Sequence, residues 1–494
     1  MYKEKEQVPE FENFYVPFGG HLREDNRWVR LAGIIPWEEI EAEYKKCFSK
    51  RIGRTAKTVR LALGSLLIKE KLHLTDEETV ETIRENHYLQ YFLGYESYKD
   101  EKPFDPSMMV HFRKRLGPDA IAKINELIAK RYQEQVEAES EKKSNKENQK
   151  DDHDHGNRGQ LIIDATCAPQ DIRHPHDVTL LDEARRKTEK IIDTLYEASD
   201  LTIKPRTYRK QARIKYLNFI RGRRRTKKEI RRAIRTQLQY IRRNLRTINE
   251  LQNKVPSTTL SAKQRRDLIV IHEVYRQQVQ MYKGKTHSIP GKIVSISQPH
   301  VRPIARGKAR AAFEFGAKLS ASMTEHGMIF IDRLQWEPYN EQEDLPTQIE
   351  KYKQRCGRYP ESVHADKIYR TRANRAYCEA RGIRLSGPPL GRPIKETLEN
   401  KKIVRQLRKI QRLDEAIRQA IEGGFGYMKR KFSLGTIYEK LRETSETAIM
   451  VCVLLTNCEK ILRDLFMRFL FLLGFKPHKS YLKVLVCQIK PILE

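Results

Sequence analysis

The stretch LIIDATCA, residues 161–168, decides the fold. Leu161, Ile162 and Ile163 form a short apolar run rich in β-branched side chains, and the small residues Ala165 and Thr166 follow, which is the pattern of a buried strand. Asp164 ends that run. A carboxylate there is costly unless it meets a counter-charge or a metal, so Asp164 is the first candidate functional residue.

Working outward, further strands are expected at residues 292–298 (KIVSISQ), 327–336 (GMIFIDRLQW), 362–369 (SVHADKIY) and 382–388 (GIRLSGP). Helical stretches interleave with them: LPTQIEKYKQRC, RTRANRAYCEAR, and a long pattern from Ile403 to Ile421 with Leu407, Ile410, Leu413 and Ile417 on one side. Strands alternating with helices predict an α/β domain. Asp366 lies in the second apolar strand of the Asp164 kind, although beside Lys367 it also reads as a turn residue. Glu422 ends the long helical pattern, and Glu415, Arg418, Glu422 and Lys429 fall at steps of 3, 4 and 7, on one helical face if the helix continues. A charged stripe of that kind is usually a solvent side. Gly423, Gly424 and Gly426 each cost roughly 1 kcal/mol relative to alanine inside a helix, and point to close approach of another backbone, a strand or a nucleic-acid phosphate, or to a helix break.

Residues from about 180 to 290 have another character. From Lys204 to Arg246 there are eighteen Lys/Arg and one acidic residue, Glu229, with Arg223, Arg224 and Arg225 consecutive. Ile230, Ile234, Leu238, Ile241, Leu245 and Ile248 recur at helical spacing, and Leu268, Ile271, Tyr275, Val279 and Tyr282 repeat it after a turn at 256–259. An antiparallel hairpin with one apolar seam and one cationic face is expected, the face meeting nucleic acid.

Towards the N-terminus, residues 1–135 read as a helical domain. Thr75 and Glu78 form a capping box, and FDPSMMVHFRKRLGP (104–118) reads as a short helix opened by Ser107 whose far end carries Arg113, Lys114 and Arg115, within reach of phosphates. Residues 136–160 are almost wholly polar and predict a flexible linker, 161–460 the α/β domain, and 461–494 a C-terminal tail. The cluster Asp151, Asp152, His153, Asp154, His155 falls in the linker, where no geometry holds ligands, and is set aside.

The whole chain of 494 residues has 96 Lys+Arg against 65 Asp+Glu, a formal charge of +31, which favours a polyanionic partner. Seven cysteines, odd in number and without CxxC spacing, predict a reducing compartment and neither disulfide framework nor zinc ribbon. The most apolar run, 465–475, carries Arg468 and falls short of the ~20 residues that a membrane span needs. A cytoplasmic protein without a membrane partner is expected.

These residues bring a resemblance. GRTAKTVRLALGSLLIKEKLHLTDEETVETIRENHYLQYFLG, FDPSMMVHFRKRLG, DATCAPQDIRHPHDVTLLDEAR, PHVRPIARGKARAAFEFGAKLS, ADKIYRTRANRAYCEARGIRLSGPPLGRP and RQAIEGGFGYMKRKFSLG resemble, in order, blocks of the DDE transposases of bacterial insertion sequences, in the insertion-sequence-five branch with the YREK signature. The resemblance implies a ribonuclease-H-like catalytic domain with a helical insertion, preceded by an all-α DNA-binding domain. Asp164 on the first strand, Asp366 on the fourth and Glu422 on a later helix would bind two Mg²⁺ ions, for which Mn²⁺ can substitute. Arg418 and Lys429 would hold phosphates of the terminal sequence. The implied partners are double-stranded DNA, as transposon ends and target, and further copies of the chain in a homodimer or larger assembly. The signature's tyrosine is Glu415 here, and the role of that position does not carry over. The rival reading is a non-catalytic, transposase-derived DNA-binding regulator. His174, His176 and Asp177 imitate a metal cluster, but magnesium prefers oxygen and they are left out.

Overall fold

Helix starts in the N-terminal part are written by caps. Asn26 opens α1 (Arg27–Ile34), Thr58 opens α3 (Val59–Leu72), the predicted Thr75/Glu78 box opens α4 (Asp76–Glu85), and Asn86 opens α5 (His87–Phe92); α2 (Trp37–Lys45) begins after Pro36. α6 (Met108–Ser144) is two helices joined at Gly117, whose φ of 60° and ψ of 167° leave the helical region just before Pro118. The computed structural model describes residues 20–46, 48, 55–144, 156–308, 311–392, 396–397 and 399–472. The Asp151–His155 cluster lies outside them, as do residues 1–19 and 473–494.

The remaining elements, in chain order, are β1 (Gln160–Pro169), α7 (Asp177–Glu197), α8 (Arg209–Arg221), α9 (Lys227–Gln252), α10 (Ala262–Gly284), β2 (Arg302–Lys308), β3 (Ala311–Thr324), β4 (Ile329–Gln335), α11 (Leu345–Cys356), β5 (Ser362–Ala365), α12 (Arg372–Glu379), β6 (Arg384–Leu385), α13 (Lys401–Lys431) and α14 (Arg442–Leu472). They form two compact units. The first takes the described residues up to Pro169, Lys318–Gln335 and those from Tyr339 on; the second takes Gln170–Ala317 and Trp336–Pro338.

In the first unit the sheet order is β4, β3, β1, β5, β6. β3 and β4 are antiparallel, whereas β1/β5 and β5/β6 are parallel. Leu161, Ile163, Val363, Ala365 and Tyr369 pack one face of the parallel strands against Ile349 and Tyr352 of α11. α13 lies against β1 and β5.

α14 joins the N-terminal helices to this sheet. Residues 448–455 of it are buried without interruption, because α6, α3 and β4 all pack on it. Two asparagines fasten the junction: Asn457 Nδ2 donates to Asn125 Oδ1 and to the Ile329 carbonyl, each at 2.8 Å, and Asn125 Nδ2 donates to that carbonyl at 3.0 Å. The domain boundary expected at 136–160 is therefore not the boundary between compact units. Val136 is buried and α6 runs on to Ser144, inside the expected linker; the expected tail from 461 begins within α14.

In the second unit the basic insertion is more than a hairpin. α7, α9 and α10 share one core of Leu181, Ile192, Leu238, Ile241, Leu245, Ile248 and Ile271, with α7 the principal partner of α9. Residues 292–298, expected as a strand, have irregular backbone; Ile293 and Ile296 are apolar because they close this core. The long strand β3 has no counterpart among the expected strands, because its small residues, Ala311, Ala312, Gly316, Ala317, Ser320 and Ala321, carry no β-branched signal.

Candidate functional site: carboxylates on two neighbouring parallel strands

β1 and β5 pair Gln160 with Ser362 and Ile163 with Ala365. The next step in that register puts Asp164 opposite Asp366, on strands that sit about 4.8 Å apart. Asp164 is half-buried, and its Oδ1 accepts the Ala165 amide at 2.8 Å. Burial pushes its carboxyl up to about 6, against the pull of that amide; the charges of Glu422 and Glu341 add to the rise and Arg418 opposes it. Asp366 is exposed just past the end of β5, where its Oδ1 accepts the Lys367 amide at 2.7 Å and caps a 3-10 turn, Lys367–Tyr369.

Glu422 comes from α13, which continues unbroken through its glycines. The backbone approach expected of them is not what the helix shows: a Cβ at Gly424 would meet a side chain, Ile329 Cδ1, at 2.6 Å, one at Gly426 the Arg430 side chain of the same helix, and one at Gly423 nothing within 4 Å. The helix is anchored eight residues before Glu422. Asp414, 5% exposed, takes both Arg384 guanidinium nitrogens at 2.9 Å, and His364 Nδ1 lies 3.4 Å from its Oδ1. His364 Nε2 is 3.1 Å from Ser362 Oγ, and burial pushes this imidazole down to about 4. Ser362, His364 and Asp414 thus imitate a hydrolytic triad, but all three are buried, and they serve to bolt α13 to β5 and β6. Nothing in the sequence singled out this bolt. The expected apolar stripe on the same helix does not pack: Leu407, Ile410 and Leu413 are exposed, and Asp414 makes the contact instead.

Arg418 takes a different position from the one expected. Its Nη1 donates to Glu422 Oε1 at 2.7 Å, while its Nη2 and Nε reach Glu415 Oε1 at 2.6 and 3.1 Å. Glu415, the departure from the signature, is therefore a second carboxylate on the arginine, which holds its carboxyl below the usual range. Lys429 follows on the same helix, half-buried.

The donor set of two aspartates and a glutamate is all oxygen, as a hard divalent cation requires. Among the described residues no three His, Cys, Asp or Glu side chains are already gathered closely enough to hold a metal together. Glu422 is turned to Arg418, and joining the aspartates means exchanging that partner. His174 and His176 pack ring against ring at 5.0 Å, with His174 edge-on to Phe315.

The expected DNA contacts divide. Arg113 is a correction: it is 5% exposed, paired with Asp76, and near Glu439, so it holds the helices together and offers nothing to phosphate. Lys114 and Arg115 are exposed, Arg115 lying over Phe48. Arg223 and Arg224 are exposed between α8 and α9, whereas the Arg225 guanidinium donates to the Phe219 and Ile220 carbonyls and closes the end of α8. Of the eighteen cations from Lys204 to Arg246, all but Arg231 are exposed.

Residues 363–459 match the family model of a transposase DDE domain, and residues 17–115 that of a transposase domain (DUF772). The first match contains Asp366, Arg418, Glu422 and Lys429; Asp164 lies outside both. The uncharacterized protein ORF8 in the nfe locus of Rhizobium meliloti is 33% identical over 152 residues, 31% of this chain and 66% of its own length. The chain thus spans just under two thirds of that relative. No solved structure matches the chain. Both domain matches are to transposases, and they support reading the chain as an insertion-sequence transposase.

Proposed function

We propose that the chain binds the ends of an insertion sequence, cleaves the DNA there and joins the freed 3′ ends to target DNA. The observation that carries this reading is the matched register of Asp164 and Asp366 beneath the helix that brings Glu422. A mixed sheet with a parallel central pair, an antiparallel β3/β4 edge and helices packed on it supports a ribonuclease-H-like core.

Asp164, Asp366 and Glu422 would hold two Mg²⁺ ions, or Mn²⁺ in their place, which when bound supply activation of the attacking oxygen and stabilisation of the leaving one. The protein's own part is to fix the donors. β1 would fix Asp164, and the turn that follows β5 would fix Asp366, with the Ala165 and Lys367 amides orienting them. The Asp414 bolt fixes α13, and Arg418 neutralises Glu422 until the cluster assembles, after which its guanidinium turns to a DNA phosphate. Lys429 serves the same terminal DNA. The exposed cations of α8 and α9, with Lys114 and Arg115, contact duplex phosphates, and engaging two ends calls for a homodimer or larger assembly.

The test is cleavage and joining of DNA carrying the element's ends with Mg²⁺, comparing the unaltered protein with Asp366→Ala and Glu422→Ala. Both variants should bind DNA and neither should cleave; cleavage undiminished in either would sink the assignment. Binding without cleavage by the unaltered protein would favour the regulator.

A further inference from the structure

The first thirteen residues of α13, Lys401–Leu413, have six Lys/Arg and no acidic residue, and Val404 is the one among them that is buried. The helix meets its first firm anchor only at Asp414, held by Arg384 and His364. At 3.6 residues per turn, Lys401, Lys402, Arg405, Arg408, Lys409 and Arg412 fall within about a third of the circumference. Ile403, Leu407 and Ile410 lie on the opposite side, the side that is buried further along at Asp414 and Ile421. The apolar stripe thus continues the face that packs, and the cations occupy the face that does not.

A solvated face ordinarily mixes signs, because like charges three or four residues apart destabilise a helix. Here Lys401 and Arg405, Arg405 and Lys409, and Arg408 and Arg412 stand four apart; Lys402 and Arg405, Arg405 and Arg408, and Lys409 and Arg412 stand three apart. Against these six repulsive pairs, Arg408 reaches Glu396 at 2.8 Å, and the other five cations have no ion-pair partner among the described residues. Most helices draw their stability from a packed face, and this half of α13 has almost none. A polyanion laid along the cationic side is what would remove the repulsion.

We propose that Lys401–Arg412 of α13 is a phosphate-binding face for duplex DNA beside the cut. This rests on the reading of Glu422 as part of the cleavage site. Arg412 and Lys401 precede Glu422 by 10 and 21 residues on one unbroken helix, about 15 and 32 Å along its axis. At 3.4 Å per base-pair step, the face reaches phosphates within about nine base pairs of one held at Glu422. Phosphate contacts fix the register of a protein on a duplex without reading its sequence, so this face helps to set where the cut falls.

The experiment measures binding of the full chain, without divalent metal, to a duplex carrying the element's end, over a salt series and by hydroxyl-radical footprinting. The cut is mapped separately with Mg²⁺ added. The triple variant Arg405→Gln, Lys409→Gln, Arg412→Gln should flatten log K against log salt by about 0.9 per lost phosphate contact, and lose protection within about nine base pairs of the cut. With three like charges gone, its Tm at low salt should equal or exceed that of the unaltered protein, which separates weaker binding from unfolding. The triple variant Ile403→Gln, Leu407→Gln, Ile410→Gln, on the opposite side, should keep both slope and protection. An unchanged slope in the cation variant overturns the proposal, and so do equal losses in the two triple variants. A cation variant that keeps its slope but sediments differently overturns it in favour of a contact between copies of the chain. Failure of the cleavage-site reading shows separately, as cutting undiminished in Glu422→Ala. A loss of slope in the cation variant then still identifies the DNA face, and only its distance from the cut is overturned.

Discussion

Asp164 and Asp366 are 202 residues apart in sequence, yet each directly follows a residue of the pair Ile163 and Ala365, Asp164 within β1 and Asp366 just past the end of β5. Parallel pairing puts the C-terminal ends of both strands on one side, so two carboxylates that end apolar runs become neighbours whatever the chain does between them. Burial on β1 has a cost of its own: burial first, then the Glu422 and Glu341 charges, raise the Asp164 carboxyl to about 6.

Asp164→Asn should therefore trade activity for stability. At pH 8 in metal-free buffer the native carboxylate is ionised against its preference, and the amide removes that burden while still accepting the Ala165 N–H. Its Tm should exceed that of the unaltered protein at pH 8, and the gain should fade as pH drops below about 6, where the native carboxyl is already protonated. DNA cleavage should be absent. An equal or lower Tm at pH 8 would contradict burial as the source of the shift.

Asp414→Ala should loosen the helix that carries Glu422. It strands the buried His364 and removes both Arg384 bonds, and with Arg384 half-exposed a loss of about 1–3 kcal/mol is expected in denaturant unfolding. Asp414→Asn should recover part of it. No change in the unfolding midpoint would show that α13 is held by other means.

Arg113 and Lys114 are adjacent in sequence and should fail differently. Arg113→Ala removes the buried cation from between Asp76 and Glu439 and should cost about 3–5 kcal/mol of stability. Lys114→Ala should leave the melting curve in place and weaken DNA binding. A melting curve unaffected by Arg113→Ala would return that residue to the DNA-binding set.

The double variant Arg223→Ala, Arg224→Ala should flatten the dependence of log K for DNA on log salt by about 0.9 for each phosphate that is no longer neutralised. Arg225→Ala instead removes the closure of α8 and should lower the Tm. An unchanged salt slope in the double variant would move the DNA contact away from the α8–α9 turn.

Glu41 offers a pH test far from the carboxylates. It is 5% exposed, its Oε2 accepts the Val59 amide at 3.3 Å, and burial raises its carboxyl above the ordinary value. A raised native pKa stabilises the fold below the unfolded value and loses that stability as pH rises through the native one. Glu41→Gln should accordingly raise the Tm at pH 8 more than at pH 4. Equal shifts at both pH values would exclude titration of this carboxyl as the source.

Asp164 was legible in the sequence because a buried apolar run gives a carboxylate nowhere cheap to sit. Asp366 and Glu422 were not, since a turn aspartate and a helix-surface glutamate have many ordinary uses; the family resemblance picked them. Asp414 carries no local signal, its significance coming from neighbours distant in sequence. Helices were read well where caps and spacing agree, α11 to the residue, LPTQIEKYKQRC. The stripe on α13 misled because helical spacing says which residues share a face and not whether that face meets anything.

α14 has a consequence for how the protein is made. α6 has as its main packing partner, and α3 as one of its two, a segment ending at Leu472, so both emerge from the ribosome long before that surface exists. At roughly 5–20 residues per second, the interval between α6 and α14 is about 15–65 seconds of synthesis, during which apolar faces of α3 and α6 stand open to chaperones and proteases. A message cut short before α14 yields a chain in which α6 lacks its principal packing partner, so such a fragment should be degraded faster than the whole chain.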